Sequence, residues 1–246
     1  VGKNCFKLDE ISSTNDWLIE RISTQKFHEG TVVVASFQTK GKGQRGSEWL
    51  SQATKSLTFS VLLKPSFLLP IHAFDLSICV ALALSVSLNK LRLGFKIKWP
   101  NDIYFQDKKI AGVLIENQMS QSIYQNAIVG IGLNVNQVHF DSLSNAISLQ
   151  QILGLEFPVE KVMDHVCESL EAQYLKLRSG HFNELKKAYM SNLYGFNQLQ
   201  SFMVGNEKLN GKIIDVLRNG FLQIELMDGE IRDYDIKEIK FLSISH

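Results

Sequence analysis

"TVVVASFQTKGKGQRGSEWLSQATKSLTFSVLL" (residues 31–63) places a β-branched apolar run, a glycine- and lysine-rich loop and a second apolar run in succession. The element that the loop leads into decides the fold. Gly41, Gly43 and Gly46 give the G-x-G-x-x-G spacing of a dinucleotide-binding turn, and residues 31–38 read as a preceding strand buried on both faces. Such a turn must open a helix whose N-terminus receives the pyrophosphate. Here residues 47–55 instead run through a polar loop into "SLTFSVLLK" (56–64), a second strand ended by Pro65. Strand–loop–strand describes an antiparallel pair. No G-K-[ST] comes after the glycines and no H-R-D or D-F-G lies downstream, so Walker and kinase phosphate loops are excluded too.

Outward from this pair, strands and helices interleave. "AFDLSICVALALSVSLNKL" (73–91) is apolar enough to resemble a membrane span, but Asp75, Ser85, Ser87 and Asn89 make it a buried core helix. "GFKIKWP" (94–100) alternates and stops at proline, and "KIAGVLIEN" (109–117) and "YQNAIVGIGLNVN" (124–136) read as a second antiparallel pair. Residues 159–180 repeat Val162, Val166, Leu170 and Tyr174 at i+4 steps between Pro158 and Gly180, an amphipathic helix with both boundary signals. Past residue 190 short strands are broken by "GN", "NG", "NG" and "DG", which are hairpin signals. The expected fold is α+β: a mixed-sheet unit over 1–190 and a small β-barrel over 191–246.

Composition removes several functions. Of 246 residues 45% are hydrophobic and 21% charged, and the formal net charge is +1, so no global field draws the chain to nucleic acid or membrane. The last 56 residues carry six Lys/Arg against eight Asp/Glu, a poor balance for binding nucleic acid. Cys5, Cys79 and Cys167 have neither disulfide nor zinc spacing and read as reduced thiols of a soluble cytoplasmic protein.

An anion site must therefore be local. Glycine lets successive loop N–H groups converge on one anion, Lys42 and Arg45 add charge, and Trp49 offers a flat apolar wall. The bland alternative is a flexible surface hairpin. In "KIKWPNDIYFQDKKIAG" (96–112), Lys98, Trp99, Asn101 and Asp102 surround a proline-stiffened turn, which turn chemistry alone also explains. Lys109 opens a strand beside Ala111 and Gly112, a costly place for an ammonium without an anionic partner. "GIGLNVN" (130–136) brings two glycines and Asn134 to a strand end, for a ligand's approach or a glycine bulge. "ISSTND" (11–16) is an N-cap cluster with Ser13 or Thr14 as the cap.

Taken in order, "SSTND", "QTKGKGQRGSEW", "KWPNDIY", "KKIAGVLIE" and "GIGLNVN" resemble the biotin–protein ligases, over essentially the whole chain and in the short class without an N-terminal DNA-binding domain. The resemblance implies a mixed-sheet catalytic domain followed by an SH3-like barrel. It also implies activation of biotin by ATP to biotinyl-5′-AMP, then transfer to a lysine of a biotin carboxyl carrier protein, by a monomer or homodimer. By resemblance Ser13, Thr14 and Gln38 bind the ureido ring with the Gly41–Gly43 loop, and Trp49 and Gly112 border the biotin. Lys109 lies between carboxylate and α-phosphate, with Arg45 as its catalytic companion. Lys42 and Arg45 hold phosphate, Gln44 and Trp49 also belong to the ATP site, and Asn101 and Asn134 contact nucleotide. Mg²⁺ sits mainly on the phosphates, with Asp102 as its one candidate protein ligand. Gln44 stands where the family loop commonly has arginine. The rivals are a lipoate- or octanoate-transferring enzyme of related fold and a non-catalytic adapter.

Overall fold

The computed structural model describes residues 1–120, 123–140 and 145–242, without the side chains of Arg45, Ser120 and Ile123. Seven strands make a large sheet: β1 (Cys5–Ile11), β2 (Val32–Gln38), β3 (Ser56–Leu63), β4 (Phe95–Lys98), β5 (Asp102–Phe105), β6 (Lys108–Ser120) and β7 (Ile123–Asn134). Their spatial order is β1-β2-β3-β7-β6-β5-β4. Only β1 and β2 run parallel; every other neighbouring pair is antiparallel, including the two pairs expected from sequence. The helices are α1 (Thr14–Ile22), α2 (Ala73–Leu91), α3 (Leu149–Leu153), α4 (Val159–Arg178) and α5 (Phe182–Ser191). This is a mixed α+β architecture.

Side chains alternate across a strand, so each strand writes two surfaces at once. On β3, Leu57, Phe59, Val61 and Leu63 join Val129, Ile131 and Leu133 of β7 in the main core, beneath α2 and α4. The alternate residues face α1, where Leu18, Val33, Leu62 and Ile128 form a smaller cluster. All of β3 is buried, whereas β2, expected to be buried on both faces, is buried only in part, with Ser36 exposed. The segment Pro70–Leu91 is long and apolar enough to cross a membrane, but 67% of its apolar window is buried in this fold, which favours the core-helix reading.

Beyond α5 lies a five-stranded antiparallel sheet: β8 (Leu199–Val204), β9 (Glu207–Val216), β10 (Leu222–Leu226), β11 (Ile231–Tyr234) and β12 (Ile239–Phe241), ordered β11-β10-β9-β8-β12. No pairing joins β11 to β12 among the described residues, so the sheet is not a closed barrel. Its β9–β10 turn docks on the large sheet. Trp99 Nε1 donates to the Gly220 carbonyl at 3.0 Å, and Arg218 forms a two-pronged bond to Asp75, whose carboxylate is almost fully buried. A buried carboxylate needs such a partner, because an unpaired charge there would cost several kcal/mol, roughly 3–5.

Candidate functional site

The site is built on the α1-facing surface of β3, β6 and β7. A Cβ on Gly132 would lie 2.3 Å from Trp49 Cε2, and one on Gly130 would lie 2.5 Å from Asn15 Oδ1. These glycines thus serve close approach by an indole and an amide. Trp49 is brought there by a closed loop. Trp49 N–H donates to the Gly41 carbonyl at 2.9 Å, and Gly43 N–H donates to the Ser47 carbonyl at 2.7 Å. The expected nest of loop amides is therefore not formed at Gly43, whose N–H is spent within the hairpin. Gln44–Gly46 make a single 3₁₀ turn at the tip.

These elements surround a cavity of about 180 Å³. Its inner end is neutral and polar. Ser13 caps α1 by accepting from Asp16 N–H, which fixes the direction of the following residues. Thr14 donates from both N–H and Oγ1 to Gln38 Oε1, at 2.8 and 3.0 Å. Ser60 Oγ lies 2.6 Å from Thr14 Oγ1 and 2.5 Å from Asn15 Oδ1, and Asn15 Nδ2 donates to Glu116 at 2.7 Å. Because the Gln38 oxygen is occupied, its amide nitrogen remains to donate. The Thr14–Asn15–Ser60 part of this network is buried and internally bonded, which makes it rigid.

The other end is ionic. Lys109 Nζ lies 2.7 Å from Asp102 Oδ2 and 5.9 Å from the Trp49 ring centroid. The anion that an ammonium at this position demands is thus supplied from within the protein. Gly112 leaves room for it, since a Cβ there would come within 3.1 Å of Lys109 Nζ. Lys42 pairs with Asp16 at 2.6 Å, tying the loop to α1, and this hydrogen bond raises the Lys42 pKa.

Of the residues expected from sequence, Ser13, Thr14, Gln38, Lys42, Gly43, Gln44, Trp49, Asp102, Lys109 and Gly112 line this one cavity. Gly41, Asn101 and Asn134 do not. Asn101 is buried, donates to the Val113 carbonyl at 2.9 Å and keeps an Oδ1 without a partner among the described residues. Asn134 donates to the Ile147 carbonyl at 3.2 Å. The Arg45 side chain lies outside the described ones. Sequence reading missed Asn15, Ser60 and Glu116. A serine inside an apolar strand and a glutamate late in another give no signal until the register places them opposite α1.

Residues 8–134 match the Biotin/lipoate A/B protein ligase family. The chain is 29% identical over 235 residues to a bifunctional ligase/repressor BirA of Bacillus spizizenii, covering 93% of this chain and 71% of that protein. It is also 29% identical over 190 residues to a biotin–[acetyl-CoA-carboxylase] ligase of Mycobacterium tuberculosis, covering 74% of this chain and 69% of that one. Among solved structures, a biotin protein ligase from Aquifex aeolicus in complex with biotin and ATP superposes with a TM-score of 0.82 at 31% identity, covering 98% of this chain and 99% of that chain. By its strand order, its glycine-floored cavity and these likenesses, the chain belongs to the biotin/lipoate A/B protein ligase family.

Proposed function

We infer that this chain is a biotin–protein ligase that forms biotinyl-5′-AMP and pyrophosphate from biotin and ATP. It then transfers the biotinyl group to a lysine amine of a biotin carboxyl carrier protein, releasing AMP. The observation that carries this reading is the two-ended cavity. A neutral donor–acceptor set (Ser13, Thr14, Gln38) closes one end, and a lysine beside a carboxylate stands at the other.

Each end answers a chemical need. A ureido ring has two N–H donors and one carbonyl, and each left unpaired on burial costs about 1–3 kcal/mol. The Ser13–Thr14–Gln38 set, braced by Ser60 and Asn15, matches that pattern. The valeryl chain lies along Trp49 and the Gly112 strand. At the ionic end the biotin carboxylate attacks the α-phosphate, so two anions must meet. The Lys109 ammonium stands between them and stabilises charge in the transition state from a fixed position. Lys42 keeps two of its three donors for phosphate while Asp16 holds the third. Arg45 supplies the charge that Gln44 lacks, and Gln44 hydrogen-bonds the phosphates. We assign Asn101 and Asn134 to the nucleotide end, where, outside the cavity lining, each holds a backbone carbonyl, of Val113 and of Ile147. The Gly41–Gly46 loop shields the mixed anhydride from water.

Asp102 and the nucleotide's own phosphates would hold Mg²⁺, which would neutralise phosphate charge; among the described residues no group of three or more His, Cys, Asp or Glu gathers as a metal site. We read residues 1–190 as the catalytic unit and 191–246 as a small C-terminal domain of SH3-like type, in a cytoplasmic enzyme.

A lipoate or octanoate ligase would bury a purely apolar acyl chain, for which the polar inner end has no use. ATP–pyrophosphate exchange decides the matter: it should require biotin and be unaffected by lipoate. Exchange driven by lipoate, or independent of either acid, would overturn the reading.

A further inference from the structure

Every described cation that lines the cavity already has a carboxylate. Lys42 is held by Asp16 and Lys109 by Asp102, while Glu48 adds another negative group to the lining. Among the described side chains that line the cavity, Lys42 and Lys109 are matched by Glu48 and Asp102, net zero. Gln44 contributes no charge. Both of these ammonium groups are thus partly neutralised from within the protein.

A further lysine, Lys98, belongs to the same sheet face as the Asp102–Lys109 pair. It stands on β4 directly opposite Asp102 in the antiparallel register, while Tyr104 stands opposite Lys109. Directly opposed residues share a sheet face with Cβ atoms about 5 Å apart. Lys98, Asp102, Tyr104 and Lys109 thus occupy one face of three adjacent strands, and Asp102 lies between two lysines. Yet Lys98 makes no ion pair among the described residues. Its Nζ rests over three rings, at 4.4 Å from the Tyr104 centroid, 5.1 Å from Phe241 and 5.8 Å from Tyr194. Aromatic faces hold an ammonium without neutralising it.

We propose that Lys98 is a substrate-binding residue for the phosphate chain of ATP, a cation parked on aromatic rings that turns to the polyanion alongside the Asp102–Lys109 pair. Burial, and then the like charge of Lys109, depress the Lys98 pKa against the opposing pull of Asp102. An incoming anion relieves both costs. The rings come from both parts of the chain, Tyr104 from the large sheet and Phe241 from β12, so the parking place needs the C-terminal sheet. The inference rests on the ligase reading for the identity of the polyanion.

The test replaces Lys98 by Met, which fits between the rings without charge, and by Arg, which restores charge. ATP binding is followed by calorimetry without biotin, biotin binding separately, and adenylate formation by pyrophosphate release. Lys98→Met should weaken ATP binding and raise its KM about tenfold, flatten the salt dependence of ATP affinity, and leave biotin binding unchanged; Lys98→Arg should recover most of the loss. Unchanged ATP affinity in Lys98→Met overturns the assignment, as does an equal loss of biotin and ATP affinity, which marks a structural role. A defect confined to carrier modification also overturns it. A wild-type protein that binds ATP but releases no pyrophosphate with biotin defeats the ligase reading instead, while the ATP-binding arm still decides Lys98.

Discussion

The two faces of the large sheet are made by the same strands, one residue out of step. Under α2 and α4, β3 and β7 present Leu57, Phe59, Val61, Leu63, Val129, Ile131 and Leu133, which are packed as a continuous core. Toward α1 the intervening residues are Thr58, Ser60, Gly130 and Gly132, and Trp49, Thr14 and Asn15 come down upon them. One face is filled by its own side chains. The other keeps Leu62 and Ile128 against α1 but has glycines at 130 and 132, where Asn15 and Trp49 fill the space. Stability and binding are therefore segregated by strand parity, and a substitution should affect one or the other according to which way its residue points.

The largest effect is expected on the open face. Lys109→Ala should cost roughly 3–4 kcal/mol in the barrier to adenylate formation, read as pyrophosphate release, with biotin's ring still bound and the unfolding midpoint unmoved. Full turnover in that variant would remove Lys109 from the chemistry. On the closed face, Leu63→Ala should lower stability by about 3 kcal/mol in urea unfolding while KM for biotin and ATP stays as in the wild type. A matching shift in KM would mean that the faces are coupled. Gly132→Ala puts a methyl where the Trp49 indole lies. It should weaken biotin binding about tenfold, near 1.4 kcal/mol, with little change in stability.

The smallest effect concerns how the closed face is tied to its helix. Burial raises the Glu29 pKa, but hydrogen bonds from Arg178, the Lys64 amide and Tyr174 outweigh it and hold the carboxyl below its ordinary 4.5. A carboxyl depressed in the folded state stabilises above its unfolded pKa, and the gain is lost as pH falls through the folded value. Stability should therefore decline below about pH 4.5. Glu29→Gln should flatten that decline by no more than about 1 kcal/mol, since the pair is partly exposed. Guanidinium unfolding at several pH values measures it, and substrate affinity at neutral pH should not change with it.

The same parity governs how much of the fold the sequence disclosed. The strands with one apolar face or two, β2, β3, β6 and β7, were legible, as were α2 and α4 with their long apolar stripes. β1 was not: it is an edge strand with five of its seven residues exposed, and it lacks an apolar alternation. Nor was α5, which begins at His181 without a side-chain cap. In the site, glycines and lysines near turns drew notice because those residue types are expensive without a reason. Ser60 and Glu116 did not, since only the register of β3 and β6 on β7 and the placing of α1 show that they brace Thr14 and Asn15. The partner of Lys109 was hidden for a related reason. Asp102 reads as a turn residue, and only the pairing of β5 with β6 brings it to the ammonium.

The docking of the β9–β10 turn ties the rear sheet to the turn that leads into Asp102. The Trp99 indole hangs from Gly220, the Tyr189 hydroxyl holds the Pro100 carbonyl, and two residues further on stands the carboxylate that aims Lys109. A chain cut back before residue 199 would strand that indole N–H and leave Asp75 as a lone charge in an oily interior. The large sheet cut free in this way should therefore lose stability, because the turn before Asp102 and the Asp75 carboxylate of α2 are both tied to the other half.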